Sequence, residues 1–540
     1  MAASSPSSFA SPLLLLSVRI FAVPSFRLQG KAKLDMSSCG LSGRIPDELG
    51  KLTSLKLVGL ADNKLEGAIP RSASPPRFFW KPSVRRHQKS SNHLVTLLRV
   101  LDLSKNSLSG AIPGRPEFPS WLQSQTRIEM IDLGSAGIRG VLPEWIWNFS
   151  SPITSLNVST NNITGKLPTS LEQLKMLTTL NMRHNQLEGS IPHLPASIQV
   201  LDLSHNYLSG LLPQSFGNKE LRYLLLSHNF LTGAIPTDLC NMVSMEVIDI
   251  SNNNLSGELP NCWNKDANLY IIDFSSNNLC GEIPSTLGSL SSLITLHLSK
   301  NNLSGMLPTS LKSCNRLMFL DVGENNLSGN IPKWIGDGLQ ALVLLSLGMH
   351  LGNSEWDTTP FIGFKVYGVP GAYFSVYTDH LEVTYKGQRP IFTRYYLLKS
   401  IDLSANKLTC EIPSELGLLS ALLSLNLSRN RIEGSIPDEL GRMKNLESLD
   451  LSWNDLSGAD RNACKSLATY LQQLRRRGRR RGRGAVSIQA LAVMRAPSVR
   501  LRQGEEQPTP LQARREPTYP LAAREQQLQP GSSAPVRMSP

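Results

Sequence analysis

The sequence predicts an α/β solenoid, a curved rod of stacked coils with a parallel sheet on its concave face. One observation is a constant spacing of 24 residues between five asparagines: Asn229, Asn253, Asn277, Asn301 and Asn325. A second is the Leu-x-x-Leu-x-Leu segment, or a close variant, that precedes each of them. A third is the Gly-x-Ile/Leu-Pro segment that follows. A period between 20 and 29 residues written in leucine and asparagine is typical of a repeat solenoid.

One copy of the repeat, Leu293 to Arg316, shows how the pattern becomes structure. The apolar side chains of a short parallel strand turn inward, and the alternate residues are expected to stay outside: Thr295, His297 and Ser299. Leucines further along close the coil from its far side. Each coil buries roughly six aliphatic side chains at about 1.5 to 3 kcal/mol apiece, and most of that gain requires a neighbouring coil. A single repeat is therefore not expected to fold alone.

The asparagine after each strand suits the tight turn that follows. Its amide both donates and accepts hydrogen bonds, so it satisfies backbone groups that the turn would otherwise bury without partners. Gly305 leaves room for the bend, and Pro308 fixes φ on the convex side. Stacked copies predict an asparagine ladder made by Asn106, Asn161, Asn185, Asn206, Asn229, Asn253, Asn277, Asn301, Asn325, Asn406, Asn430 and Asn454.

Counting by the turn position gives sixteen coils, thirteen of them with asparagine. Two intervals exceed the period, because 43 residues separate Asn63 from Asn106 and 56 separate His350 from Asn406. The first insertion lacks periodicity and is rich in breakers, which predicts a loose loop, whereas the second is rich in aromatic residues and could fold on the solenoid. The predicted segments are a weakly signal-like or disordered N-terminus (1–30), repeats (31–70), a loop insertion (71–93), repeats (94–350), an aromatic insertion (351–397), repeats (398–458) and a basic disordered tail (459–540).

The phrase Asn-x-Leu-x-Gly-x-Ile/Leu-Pro, present in Asn106–Pro113, Asn253–Pro260 and Asn430–Pro437, resembles the plant-type leucine-rich repeat of receptor-like proteins and receptor-like kinases. The resemblance implies a right-handed superhelix. The insertion at 351–397, with its Val383–Gly387 segment, is similar to the island that interrupts the repeats of many such receptors. This implies a folded flap that helps to form a ligand or co-receptor site, and a purely structural insertion is an equally good interpretation. Ligand-binding candidates on the island are Tyr373, Tyr377 and Lys386.

The ends depart from that family. Leu13 to Leu16 resemble a signal-peptide core, but no Lys or Arg precedes the run and no small-x-small cleavage site follows. No stretch of 18 apolar residues exists, so no membrane span is expected in this chain. These departures predict a partial receptor, or a chain whose ends and first insertion are altered.

The tail carries most of the charge. Residues 461–540 hold sixteen Lys or Arg and four Asp or Glu, whereas the whole chain has a net charge of +13. The Arg475–Arg483 run could bind nucleic acid or an anionic membrane surface, although a solvated tail without a dedicated partner is the simpler interpretation, and a nucleic-acid partner is not expected.

Cysteines and glycosylation signals bear on the compartment. The seven cysteines include no zinc spacing, so no metal site is expected. Cys240 and Cys262 occupy similar places in adjacent coils, where either a disulfide or two buried thiols are possible. Seven Asn-x-Ser/Thr sites favour a glycosylated surface, at Asn148, Asn157, Asn162, Asn254, Asn302, Asn326 and Asn426. The repeat phrase produces such sites by itself, so they support export only modestly.

Catalysis has no sequence support. The chain contains no phosphate-binding loop, no His-Glu-x-x-His, no Gly-x-Ser-x-Gly and no kinase signature. We therefore expect neither an enzyme nor a cofactor.

Function is expected on the concave sheet, where residues that depart from the consensus set specificity. The candidates there are Arg222, Tyr223, Tyr270, His297, Met318, Phe319 and Glu324. Three histidines share one register and could titrate together near pH 6, or be ordinary exposed turn residues: His184, His205 and His228. A column of aspartates is expected to hydrogen-bond along the ladder: Asp202, Asp249, Asp273, Asp321, Asp402 and Asp450.

The leading hypothesis is an extracellular or cell-surface recognition module that binds a peptide, glycan or partner ectodomain, in plant defence or development. Signalling would require a receptor-kinase partner. One alternative is an intracellular, nuclear or cytoplasmic scaffold that uses the arginine-rich tail. Another is a secreted inhibitor of cell-wall hydrolases. Glycosidase-sensitive migration of the chain discriminates the first alternative from the leading hypothesis.

Overall fold

The computed structural model describes residues 33–45, 56–67, 98–108, 122, 125–147, 152–216, 220–339, 399–443 and 445–456, together with the backbone of four short strands between 363 and 392. These residues fall in one compact unit, Met1–Arg495, and the second unit, Ala496–Pro540, lies outside the described residues. The predictions for the N-terminus, the 71–93 loop and the tail lie outside them as well. The same holds for Asn148, His350, Tyr377 and Lys386.

A parallel sheet runs the length of the solenoid, and we call it the concave sheet. Neighbouring strands pair in register, as in Leu296 opposite Leu320. Its fifteen strands, in sheet order, are Lys33–Asp35, Leu57–Gly59, Val100–Asp102, Met130–Asp132, Ser155–Asn157, Thr179–Asn181, Val200–Asp202, Tyr223–Leu225, Val247–Asp249, Ile271–Asp273, Thr295–His297, Phe319–Asp321, Ser400–Asp402, Ser424–Asn426 and Ser448–Asp450. The predicted solenoid is confirmed.

A second parallel sheet follows the turn asparagines, and we call it the lateral sheet. Its seven strands are Arg139–Val141, Asn162–Lys166, Gln186–Gly189, Tyr207–Leu211, Phe230–Gly233, Asn254–Glu258 and Asn278–Cys280. Shorter pairs continue the same position elsewhere: Ser42–Arg44 with Lys64–Glu66, and Ser328–Asn330 with Lys407–Thr409. Gly305 at this level has φ +75°, and an added Cβ there would come 2.8 Å from Glu282 Cγ, so the bend requires glycine.

Helix is sparse on the convex side, because most coils use a short 3₁₀ turn there. Each 3₁₀ segment follows a proline in extended conformation, with the exact bounds Glu144–Ile146, Thr169–Gln173, Thr237–Asn241, Ser285–Ser289, Thr309–Ser313, Ser414–Leu418 and Asp438–Arg442. One α-helix occurs among the described residues, Trp334–Gly338. The α component of the predicted class is therefore small.

The core is one continuous file of apolar side chains between the two sides of each coil. Leu293, Leu296 and Leu298 are fully buried from the strand side, and Leu303 and Leu311 from the far side. Since each coil packs on the next, the terminal coils alone lack one neighbour.

Asparagine side chains tie the coils together. Asn301 Nδ2 donates to the carbonyl of Phe274 in the preceding coil at 3.0 Å and to Leu298 in its own coil at 3.0 Å. Its Oδ1 accepts the Leu279 N–H at 3.0 Å. The same arrangement recurs from Asn106 to Asn454 within the described coils.

The ladder crosses the second insertion without a break. Phe319–Asp321 pairs directly with Ser400–Asp402, and Asn406 Oδ1 accepts the Leu327 N–H at 2.9 Å. The sixteenth coil, predicted at His350, therefore places no strand between these two, and the prediction of a separate sheet strand there was wrong. Within the insertion, Gly363–Lys365 pairs antiparallel with Tyr373–Ser375, and Leu381–Glu382 with Ile391–Phe392.

Candidate ligand-binding surface

A row of half-buried side chains lies on the concave sheet, and we call it the floor row: Arg222, Glu246, Tyr270, Ile294 and Met318. Its members occupy the same position in five successive coils. Backbone bonds link neighbours directly, since Ile294 N–H donates to Tyr270 at 2.9 Å and Met318 N–H donates to Ile294 at 2.9 Å. At ~4.8 Å per coil the row extends about 19 Å.

The row begins with a charged pair. Arg222 Nε donates to Glu246 Oε1 at 2.8 Å, and the Tyr223 hydroxyl donates to the other oxygen of Glu246. Burial, and then the hydrogen bond to Glu246, raise the pKa of Tyr223 well above its ordinary value, so this phenol stays protonated. Tyr223 is buried, which corrects its expected role as a contact residue. It fixes the carboxylate of Glu246 instead.

The other end of the row is apolar. Tyr270, Ile294 and Met318 present carbon surface in three consecutive coils. Phe319, next to Met318, is buried and was wrongly expected to be outside. It packs under the surface, where its ring meets His297 edge-on at a centroid distance of 5.8 Å. The floor row therefore offers a charged end and an apolar end side by side.

His297 is the largest departure from expectation. It is 4% exposed and lies between two carboxylates, with Nδ1 3.1 Å from Asp273 Oδ2 and Nε2 3.0 Å from Asp321 Oδ2. Burial lowers the pKa of His297, but attraction to Asp273 and Asp321 outweighs it and raises that pKa well above 6.5. His297 is thus a buried imidazolium that holds three coils together rather than a contact residue.

The other outward residues of this coil are covered too. Thr295 is buried completely and Ser299 nearly so, although the alternation of the strand predicted both outside. Neighbouring coils cover them, because the gap between adjacent strands is narrower than a side chain. Glu324 lies on the exposed rim just after the sheet, with φ +53°.

Aspartates at the ends of the strands bind their own turns. Asp249 Oδ1 accepts the Ser251 N–H at 3.1 Å and the Ser251 hydroxyl at 2.7 Å. Similar bonds involve Asp202, Asp273, Asp321, Asp402 and Asp450. The main partners lie two residues ahead within the coil, which corrects the expectation of bonds along the ladder.

Burial makes three of these carboxyls weak acids. It raises the pKa of Asp249, Asp132 and Asp402 to about 7, with a neighbouring aspartate as the second cause in each case. Asp273 behaves differently, because burial is outweighed by His297, which lowers its pKa.

The three histidines of one register form a stack on the rim. His184 and His205 have ring centroids 4.0 Å apart, and His205 and His228 are also 4.0 Å apart. All three residues are in the left-handed region, with φ between +50° and +56°. The structure therefore brings these side chains together, and joint titration stays a prediction.

The glycosylation signals divide by position. Asn157 and Asn426 are buried on the concave sheet, and their Nδ2 atoms donate to Asp132 at 3.0 Å and to Asp402 at 2.9 Å. A glycan on either nitrogen is incompatible with this packing, so those two predictions are corrected. The remaining described signals follow the ladder on the lateral side: Asn162, Asn254, Asn302 and Asn326.

Cys240 and Cys262 form a disulfide between adjacent coils, with Cα atoms 5.5 Å apart. Of the two possibilities left open by the sequence, the structure has the bridge. Disulfides persist in oxidising compartments, so this bond favours export. Four described cysteines are free thiols: Cys39, Cys280, Cys314 and Cys410.

Sequence reasoning missed Glu246 and Ile294. Both lie one residue before a strand, in line with Arg222 and Met318. Aligning that single position through all coils would have found them. Among the described residues, no group of three or more metal-binding side chains has the geometry to hold an ion.

Comparison with known proteins agrees with this geometry. A family model described as Leucine rich repeat matches residues 196–255 and 396–456. A second model of the same repeat matches 32–52, 97–117, 152–174, 176–198, 268–290 and 292–314. The chain is a leucine-rich-repeat protein.

This leucine-rich-repeat chain is homologous to plant receptor-like proteins. It is 28% identical to Receptor-like protein 18 of Arabidopsis thaliana over 193 residues, which is 34% of this chain and 22% of that protein. It is 33% identical to Receptor-like protein EIX2 of Solanum lycopersicum over 95 residues, 18% of this chain and 9% of that protein. The aligned part thus spans less than a quarter of either relative.

Two solved structures share the fold. The plant peptide hormone receptor RGFR1, solved in complex with RGF2, gives a TM-score of 0.55 at 28% identity, over 78% of this chain and 58% of that one. A TDR receptor gives 0.57 at 27% identity, over 79% and 64%. Within the described residues, no helix has the length and apolar character needed to cross a bilayer.

Proposed function

We propose that this chain is an extracellular recognition module that binds a peptide along the floor row and performs no chemistry itself. The observation that carries the proposal is the floor row, where the charged Arg222–Glu246 pair adjoins the apolar surface of Tyr270, Ile294 and Met318. An extended peptide that crosses the coils would place apolar side chains on the latter and a polar group near the former. Burying one such apolar side chain contributes roughly 1.5 to 3 kcal/mol.

Two further observations support the proposal. RGFR1, a structural neighbour, was solved with the peptide RGF2. The Cys240–Cys262 bridge favours an exported chain over an intracellular scaffold. Plant receptor-like relatives face the cell exterior, and a role in defence or development, with a receptor-kinase partner for signalling, follows from the same resemblance.

A peptide-binding measurement on the full secreted chain tests the proposal. Binders are selected from a displayed library of random peptides, and their affinities are measured for the wild type and for Met318→Glu. The carboxylate should weaken binding about tenfold or more, because it replaces apolar contact with a charge that must lose water.

Met176→Glu is the matched control, since Met176 is also exposed but lies outside the concave sheet. It should leave affinity unchanged. Equal affinities for wild type and Met318→Glu, or equal losses in both variants, would contradict binding at the floor row. Selection of glycans or partner ectodomains instead of peptides in parallel screens would contradict the ligand class.

A further inference from the structure

An exposed aromatic pair lies on the lateral sheet, away from the concave sheet. Tyr207 and Phe230 are 55% and 50% exposed, and their rings stack with centroids 6.1 Å apart at an angle of 9°. Leu211, on the same strand as Tyr207, is also exposed and lies over Gly233 of the next coil. Exposed apolar groups clustered in this way mark a contact with something else.

The pair occupies one column of the lateral sheet, in which each coil contributes the residue after its ladder asparagine. Side chains of consecutive coils touch in this column. Tyr207 stacks on Phe230, and further along Asn326 Nδ2 donates to Asn302 Oδ1. The coil after Phe230 contributes Asn254, and the two strands pair through Thr232 and Asn254.

Asn254 is itself a modification signal. It is exposed at the start of Asn254–Glu258, and Ser256 follows two residues later. An Asn-x-Ser sequence accepts N-linked oligosaccharide in the secretory pathway. Unlike Asn157 and Asn426, Asn254 has the space that a first sugar requires.

We propose that Asn254 carries an N-linked glycan whose first N-acetylglucosamine stacks on Phe230 and so continues the Tyr207–Phe230 column. In the modification, Asn254 Nδ2 bonds to C1 of the sugar, while the bond from C1 to a lipid-diphosphate donor breaks. The lipid diphosphate leaves with the electron pair, and Nδ2 loses one proton. The carbon-bound hydrogens on one face of the sugar ring then cover the side of Phe230 that Tyr207 does not.

The inference depends on export but not on peptide binding, so the two can fail separately. The full chain is produced in a eukaryotic secretory host, and glycopeptides are mapped by mass spectrometry. Occupancy at Asn254 is expected. Trimming all glycans to a single N-acetylglucosamine should preserve the melting temperature, because only the first sugar touches the ring.

A double-mutant comparison isolates the contact. Asn254→Gln should lower the melting temperature by about 2 °C or more when Phe230 is present. It should change it little in the Phe230→Ala background, since the partner is already absent. Asn162→Gln is the control, because its neighbour in the column is Gln186, which has no ring; it should show no coupling to Phe230.

An unmodified Asn254, or an equal loss in both backgrounds, overturns the proposal. So does a dimer of the glycosylated chain that Phe230→Ala abolishes in sedimentation experiments, because the pair would then be occupied by a second copy.

Discussion

Single asparagines bear more of the fold than any single leucine of the same coil. Asn301 bonds to two carbonyls within 3.0 Å and accepts one N–H, and these partners lie in two coils. Asn301→Ala would leave those backbone groups buried without partners, each at a cost of about 1 to 3 kcal/mol. We expect a clear loss of stability in thermal or urea unfolding. Asn302→Gln, one residue on and exposed, should have little effect, and similar losses in both variants would contradict the ladder account.

The sequence predicted the direction of each residue better than its exposure. Period-two alternation correctly separated Leu296 from His297, since the two side chains lie on opposite faces of the strand. It could not predict that His297 would be enclosed, because the enclosing groups, Asp273 and Asp321, belong to other coils. Off-consensus residues were therefore good guides to the concave sheet and poor guides to which of them reach solvent.

At the scale of elements, the second insertion leaves the sheet intact. Phe319–Asp321 and Ser400–Asp402 pair as if they were consecutive, although their ladder asparagines, Asn325 and Asn406, lie 81 residues apart. The sequence suggested an extra coil because the segment before His350 is leucine-rich. Composition alone does not distinguish a coil in the sheet from an insertion that leaves it. Strand pairing, which decides the matter, is a property of two coils together.

This pairing predicts that the insertion is dispensable for folding. Deleting residues 340–396 removes 57 residues and restores the spacing of 24 between the ladder asparagines. Because the flanking strands already pair directly, the shortened chain should keep its circular dichroism spectrum and cooperative unfolding. If the island helps to bind the peptide, affinity should fall while the fold is retained. Loss of cooperative unfolding would show instead that the insertion supports the sheet.

At the scale of the whole molecule, the repeat turns one local arrangement into a column of charges. The aspartate that closes each strand faces the equivalent position of its neighbours, so buried carboxyls accumulate along the solenoid. Where a histidine occurs in the column, as at His297, it offsets two of them. Where aspartates adjoin, as at Asp249 and Asp273, the burden falls on the one farther from the histidine, whose pKa rises to about 7.

The column makes folding stability depend on pH. The pKa values of Asp132, Asp249 and Asp402 are about 7 in the folded chain, above the ordinary 3.8, so the folded state binds more protons and stability falls as pH rises through that interval. His297 acts in the same direction, since its stabilisation is complete below pH 6.5 and is lost as pH rises through its raised pKa. Asp273, whose pKa is lowered, matters only in acid below its ordinary value.

We therefore expect a melting temperature higher at pH 5 than at pH 8 by at least about 3 °C, the shift that roughly 1 kcal/mol produces in a chain of this size. Differential scanning calorimetry across that range measures it. Asp249→Asn keeps an oxygen to accept the Ser251 bonds but does not titrate, so it should reduce the difference between the two pH values. A melting temperature that is flat or rises toward pH 8, or a difference unchanged by Asp249→Asn, would mean that these carboxyls are ionised in the folded chain without cost.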